Sequence, residues 1–249
     1  MPVTAVEFAA VTYALPSGRT LLHEINLQIA PGTTTALLGR SGSGKTTLLR
    51  MVNNLVQPTS GDVLVSGRST RDYDLIELRR SIGYVIQETG LFPHMTIERN
   101  AAIALELHKT PPAQRQQRTA EVLALAGLDF AEFRARYPWQ LSGGQRQRVG
   151  LARALAADPG ILLMDEPFGA LDPLTRAEMQ TMLRDLLARV GKTVLLVTHD
   201  LEEALYLAQR IIFLEAGKIV ADLAASDVLQ SENPHVRAYI AAVHRATPP

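Results

Sequence analysis

Between a short β-type run and a run of helix-forming residues lies Gly39-Arg40-Ser41-Gly42-Ser43-Gly44-Lys45-Thr46, an octapeptide in which three glycines precede a lysine and a hydroxyl side chain. A short β-type run over residues 33–38 leads into it, and residues 45–52 have helix-forming side chains. Strand, glycine loop and helix in that order restrict the chain to few folds. The glycines let the backbone turn tightly and aim successive N–H groups at one point, where the helix dipole also favours an anion. This is the Walker A pattern. Lys45 supplies a point charge for phosphate oxygens, Thr46 a hydroxyl for Mg²⁺, and Gly39 to Thr47 the cradle. A merely structural glycine turn is the alternative, and the flanking strand and helix weigh against it.

The rest of the chain punctuates itself. Runs over 3–12 and 21–29, separated by Pro16, Ser17 and Gly18, read as an antiparallel hairpin. Strands follow over 61–65 and 82–86, the second ending at Gln87. The texture then changes: 97–107 and 113–126 are rich in Ala, Leu, Glu, Gln and Arg, are divided by Pro111 and Pro112, and have no strand between them. A helical lobe inserted over about 88–140 is expected. Helix 144–156, strand 161–164, helix 174–190, strand 193–198 and helix 201–208 then alternate, which implies a parallel sheet with crossover helices. Strands over 211–214 and 218–222 and a helix from Ser226 onwards close the chain, with 247–249 as a frayed tail. The expected fold is α/β: a P-loop core with a mostly parallel sheet, an N-terminal antiparallel β subdomain and the inserted lobe, in one domain over 1–249.

Composition sets outer limits. At 249 residues and 47% hydrophobic content the chain can bury a sizeable core. Lys plus Arg and Asp plus Glu are both 25, so no overall field draws it to nucleic acid, and none is expected as a partner. Cysteine is absent, which excludes disulfides and thiolate metal sites. The N-terminal residues do not read as a leader, and the apolar runs fall short of the ~20 residues of a spanning helix.

Further candidates lie at strand ends. Asp165 and Glu166 close the apolar run over 161–164, where open parallel sheets place ligands. Asp165 can hold the metal and Glu166 can polarise the attacking water, since adjacent strand residues point in different directions. Alone, such a pair reads equally as caps or solvated charge; coupled to Walker A it becomes a Walker B arrangement. Gln87 and His199 end strands at the same edge, suited to the metal or water and to the γ-phosphate, though neither stands by itself. Ser142-Gly143-Gly144-Gln145 opens a helix and offers a second anion site, although helix logic alone favours an ordinary N-cap at Ser142.

Walker A, Gln87, Leu141-Ser142-Gly143-Gly144-Gln145, Walker B, Leu171-Asp172 and His199, in that order and across almost the whole chain, resemble the ATP-binding subunits of ABC transporters. The resemblance implies ATP and Mg²⁺ as cofactors, with Thr46, Gln87 and Asp165 at the metal. It implies hydrolysis carried by Glu166, His199, Gln87 and Lys45, with Tyr13 stacked on adenine. It further implies a head-to-tail dimer, with itself or a similar ATPase, in which the Ser142 loop of one subunit closes on the nucleotide of the other and Asp172 lies at the contact. Separate membrane permease subunits would dock on the lobe and be signalled through 88–95. The chain would then sit at the cytoplasmic face of the inner membrane, with a substrate-binding protein as an indirect partner.

Wording around the motifs narrows the resemblance. Ile76-Glu77-Leu78-Arg79-Arg80, Ile82-Gly83-Tyr84-Val85-Ile86-Gln87, Gly90-Leu91-Phe92-Pro93-His94-Met95-Thr96-Ile97 and Tyr137-Pro138 are similar to those of glycine betaine, choline and other osmoprotectant importers. Import of another small solute, an amino acid or an oxyanion, is the nearest alternative, followed by a soluble non-transport ATPase of the same family. Many relatives carry a C-terminal pair of CBS domains, and none is expected within the 249 residues.

Overall fold

The computed structural model describes residues 4–87 and 89–244, with side chains to residue 242. Val3, Glu88 and residues 247–249, on which expectations were placed above, lie outside the described residues. In chain order the first elements are β1 (Val6–Ala14), β2 (Thr20–Ile29), β3 (Thr34–Leu38), α1 (Lys45–Val52), β4 (Ser60–Val65), β5 (Arg68–Ser69) and α2 (Leu75–Ser81). Next come β6 (Ile82–Val85), α3 (Ile97–Leu107), α4 (Pro112–Leu125), α5 (Phe130–Phe133), α6 (Gly143–Leu155), β7 (Ile161–Asp165) and α7 (Pro173–Val190). Then follow β8 (Thr193–Thr198), α8 (Leu201–Leu207), β9 (Arg210–Glu215), β10 (Lys218–Ala224) and α9 (Pro234–His244).

The chain divides into two compact units, residues 1–75 with 193–249, and residues 76–192. In the first, β2, β1, β4 and β5 form an antiparallel sheet in that order, so the expected hairpin is present. A second set runs β10-β9-β3-β8, with β3 parallel to both β8 and β9. Every residue of β3 and of β8 is buried, so neither strand alternates: β8 is an apolar run between two threonines, and β3 buries Thr34 and Thr35 together with Ala36, Leu37 and Leu38. Leu38, Leu201, Phe213 and Val236 share one core cluster of this unit. It fixes the end of β3, and hence the start of the glycine loop, against α8, β9 and α9.

In the second unit β6 runs parallel to β7. Its helices start where capping chemistry allows: Thr96 accepts from Arg99 N at 3.3 Å, Pro112 opens α4, and Asp172 accepts from Thr175 N at 3.1 Å ahead of Pro173. Helix α7 stops at Gly191, whose φ of 58° is left-handed. Among the described residues no helix is long and apolar enough to cross a membrane.

One expectation is corrected. The helix expected from Ser226 is two pieces, a 3-10 turn over Ala225–Gln230 and then α9. Pro234 is the cause: it restricts the residue before it and belongs at a helix start. Asn233 caps the new helix, its Oδ1 accepting from His235 N at 2.9 Å.

Candidate active site

Within the first unit, the glycine loop is closed before any ligand is considered. Gly42 and Gly44 adopt φ of 77° and 103°, conformations that favour glycine. A Cβ on Gly39 would lie 2.1 Å from Leu214 O, and one on Gly44 would lie 2.5 Å from Leu22 Cδ2, so the backbone is held tightly against its neighbours. Lys45 is only 4% exposed, and its Nζ donates to Gly39 O at 2.7 Å and Arg40 O at 3.0 Å. The ammonium therefore sits inside the curl of the loop. Ser43 Oγ is buried with no hydrogen-bond partner among the described residues, a cost of about 1–3 kcal/mol that an acceptor entering the loop would relieve. Arg40 and Ser41 are exposed, and Thr46 and Thr47 half-buried on the first turn of α1. An orphaned hydroxyl beside a buried cation is the environment a phosphate fits.

Two further candidates of this unit converge on the loop. Tyr13 pairs with Leu22 across the hairpin, and Leu22 is the residue that packs on Gly44. His199, directly after β8, lines a cavity of about 450 Å³ together with Gly39 and Arg40.

In the second unit, the parallel register sets Val85 level with Met164, which brings the segments that leave β6 and β7 side by side. Gln87 Nε2 accordingly donates to Glu166 Oε2 at 3.4 Å. Asp165 is 2% exposed, and its Oδ2 accepts from the Tyr84 hydroxyl at 3.3 Å. Glu166 has a φ of 45°, a left-handed conformation that costs a non-glycine residue about 1–3 kcal/mol. The kink turns its carboxylate out of the strand's alternation, which separates it from the buried Asp165. That strain is a local cost accepted where orientation matters.

The serine–glycine segment is built as a capping box. Ser142 Oγ accepts from Gln145 N at 3.2 Å while Gln145 Oε1 accepts from Ser142 N at 3.0 Å. Ser142 nevertheless stays exposed. Gly144 is buried, and a Cβ there would meet Thr175 Cγ2 at 2.6 Å, so α6 lies directly against the first turn of α7. Hydrogen bonds from Thr175, side chain first and then backbone, hold the Asp172 carboxyl below the usual carboxylate range. Asp172 itself is exposed.

A profile of the ABC transporter family matches residues 22–169, more than half of the chain. The chain belongs to the ABC transporter family. The matched segment holds the glycine loop, Gln87, Ser142 and the Asp165–Glu166 pair, whereas Tyr13, Asp172 and His199 lie outside it. Among curated relatives of this ABC chain, the choline transport ATP-binding protein OpuBA of Bacillus subtilis is 46% identical over 221 residues, 89% of this chain and 58% of the relative. The osmoprotectant import ATP-binding protein OsmV of Salmonella typhimurium is 47% identical over 208 residues, 84% of this chain and 54% of the relative. The chain thus spans a little over half the length of these relatives. A solved dimeric ATP-binding cassette in a post-hydrolysis state, bound to ADP and Pi, superposes with a TM-score of 0.79 at 36% identity, covering 88% of this chain and 98% of that one.

Two contacts were not read from the sequence as parts of the site. One is the Tyr84 hydroxyl on Asp165; strand pairing was the missing information. The other is Arg153 on α6, whose Nη1 and Nη2 donate to Gly90 O at 2.7 Å and Thr89 O at 2.6 Å. Burial holds its guanidinium below its ordinary pKa. Arg153 joins the helix opened by Ser142 to the segment following Gln87. Arg153→Ala is expected to lower the unfolding free energy by about 2 kcal/mol, because two carbonyls lose a charged donor. A urea midpoint unchanged from the parent would contradict that contact.

Proposed function

We propose that this chain is the ATP-hydrolysing motor subunit of an importer whose membrane pore is built by other polypeptides. The observation that carries the proposal is the closed glycine loop, with Lys45 buried in its curl and Ser43 Oγ without a hydrogen-bond partner among the described residues. Gly39 to Thr47 hold the triphosphate through backbone N–H groups, with Lys45 as the charge on its terminal oxygens. Tyr13, beside the loop through Leu22, stacks on adenine.

Thr46, Asp165 and Gln87 are the residues that would hold Mg²⁺. A hydroxyl, a carboxylate and an amide oxygen suit a hard cation that keeps phosphate and water oxygens for its other positions. When bound, the ion neutralises charge on the phosphate oxygens. Glu166 then orients and polarises water, the Gln87 amide fixes that carboxylate at 3.4 Å, and His199 contacts the γ-phosphate. Ser142, Gly143, Gly144 and Gln145 complete the site of a second subunit in a head-to-tail dimer, with Asp172 at the contact. The dimer is formed with an identical copy or a similar ATPase.

We further propose that the inserted lobe, about 88–140, carries the docking surface for permease subunits on the cytoplasmic face of the inner membrane, with a substrate-binding protein acting upstream. Relatives named for choline and osmoprotectants support quaternary amines as the cargo. Vesicles carrying this chain with its cognate permease and binding protein should take up radiolabelled glycine betaine or choline only with internal MgATP. Uptake of sulfate or an amino acid in their place would overturn the cargo, and uptake indifferent to MgATP would overturn the motor.

A further inference from the structure

We propose that Tyr239 of α9 is a positioning residue for His199, fixing the main chain of a residue that lines a cavity beside the start of the glycine loop, so that the last helix tunes the rate of hydrolysis. The inference rests on the reading of His199 as a γ-phosphate contact.

Only two residues, His199 and Asp200, join β8 to α8. Asp200 is committed on both sides: its N–H donates to Thr198 Oγ1 at 3.0 Å, and its carboxylate caps α8 by accepting from Glu203 N at 3.1 Å. The carbonyl of His199 is held from outside the connection. It accepts from the Tyr239 hydroxyl at 2.6 Å, at the short end for an O–H···O bond, from a residue 40 positions along the chain.

The phenol has little freedom to point elsewhere. Its ring lies edge-on to buried Phe213, with centroids 5.9 Å apart at 79°. Val236 and Ile240, on the same face of α9, join the core cluster that contains Leu38 and Leu201. The helix is pinned again at its start, where His235 Nδ1 lies 2.6 Å from Glu215 Oε2 and Asn233 Nδ2 donates to Val220 O at 2.9 Å. Helix α9 is therefore anchored to β9 and β10 and reaches the His199 peptide through the Tyr239 hydroxyl. Tyr239 and His235 also line the cavity of about 450 Å³ that Gly39, Arg40 and His199 share.

A tyrosine packed on a core will bond to whatever carbonyl is near, and that alone assigns no role. Here the acceptor lies in the two-residue connection that presents His199. Removing that bond loosens the peptide plane and lets the imidazole shift, and a misplacement of about 1 Å is enough to cost roughly 100-fold in rate. Loss of a single bond, with the ring packing retained, should cost less.

Tyr239→Phe keeps the ring on Phe213 and removes only the hydroxyl. Its kcat for ATP should fall about tenfold with KM nearly unchanged, and its thermal midpoint should stay close to the parent's. In a His199→Ala background the same change should cost nothing further, because a positioning residue has no effect once its target is gone. The His199 imidazole resonance, assigned by its loss in His199→Ala, should shift in Tyr239→Phe. An unmoved resonance, or an equal rate loss in both backgrounds, overturns the inference and leaves the role of His199 intact. A shifted resonance with full turnover in His199→Ala overturns the reading of His199 itself, and the positioning role with it.

Discussion

Glu166→Gln should give a protein that binds ATP and then stalls, with phosphate release reduced at least about 100-fold and nucleotide affinity within about twofold of the parent. The substitution is conservative in every respect but one. Glutamine has nearly the same volume and tolerates the same left-handed φ of 45° about as well as glutamate. Its amide oxygen can still accept from Gln87 Nε2, which lies 3.4 Å from the present carboxylate. What is lost is the negative charge that draws a proton from water. Because Asp165, Lys45 and the loop are untouched, binding survives while hydrolysis does not, and the nucleotide-bound dimer should accumulate. Gel filtration in MgATP checks this directly. A monomer under those conditions, or turnover at the parental rate, contradicts the assignment of Glu166.

Lys45→Ala is expected to fail earlier, at binding. A charged donor to phosphate is worth about 2–3 kcal/mol, so affinity for ATP should drop by about 100-fold, as measured by a fluorescent nucleotide or by calorimetry. The side chain is 4% exposed and satisfies the carbonyls of Gly39 and Arg40, so its removal also disturbs the loop itself. The thermal midpoint should therefore be recorded in parallel. A folded variant with undiminished affinity would place the triphosphate elsewhere. Glu166→Gln and Lys45→Ala thus separate two failures, loss of chemistry with ligand held and loss of the ligand itself.

Much of this arrangement was legible because it is local. The loop before Lys45 and α1 after it follow from glycine conformation and helix propensity alone, and α1 begins and ends where the residues place it. The buried strand β8 announces itself by the apolar run Val194-Leu195-Leu196-Val197, and β3 by its place directly before the glycine loop. Short elements were harder. Helix α5 has four residues and β5 two, too few for any periodicity to register. The break before α9 lies at Pro234, which a single helix from Ser226 would hold in its interior.

At the site, residue types pointed to candidates and pairing supplied the partners. Gln87 could be named from its strand end, whereas its contact with Glu166 depends on the β6–β7 register. Asn100 shows the limit most clearly. It reads as one polar residue in a helix, yet it is fully buried, accepts from Phe92 N at 2.7 Å and donates to Phe92 O and Met95 O at 3.0 Å each. It organises the segment following Gln87 through tertiary contacts that no local pattern encodes. The left-handed backbone of Glu166 was equally invisible, since nothing in Met164-Asp165-Glu166-Pro167 demands it.

The carbonyls of Gly39 and Arg40 hold the Lys45 ammonium at a fixed point of the loop. A lysine stem left loose would sample many rotamers, so the entropy of ordering this cation is met by folding and not by the ligand. A triphosphate chain that reaches the ammonium can engage several backbone N–H groups along the same curl.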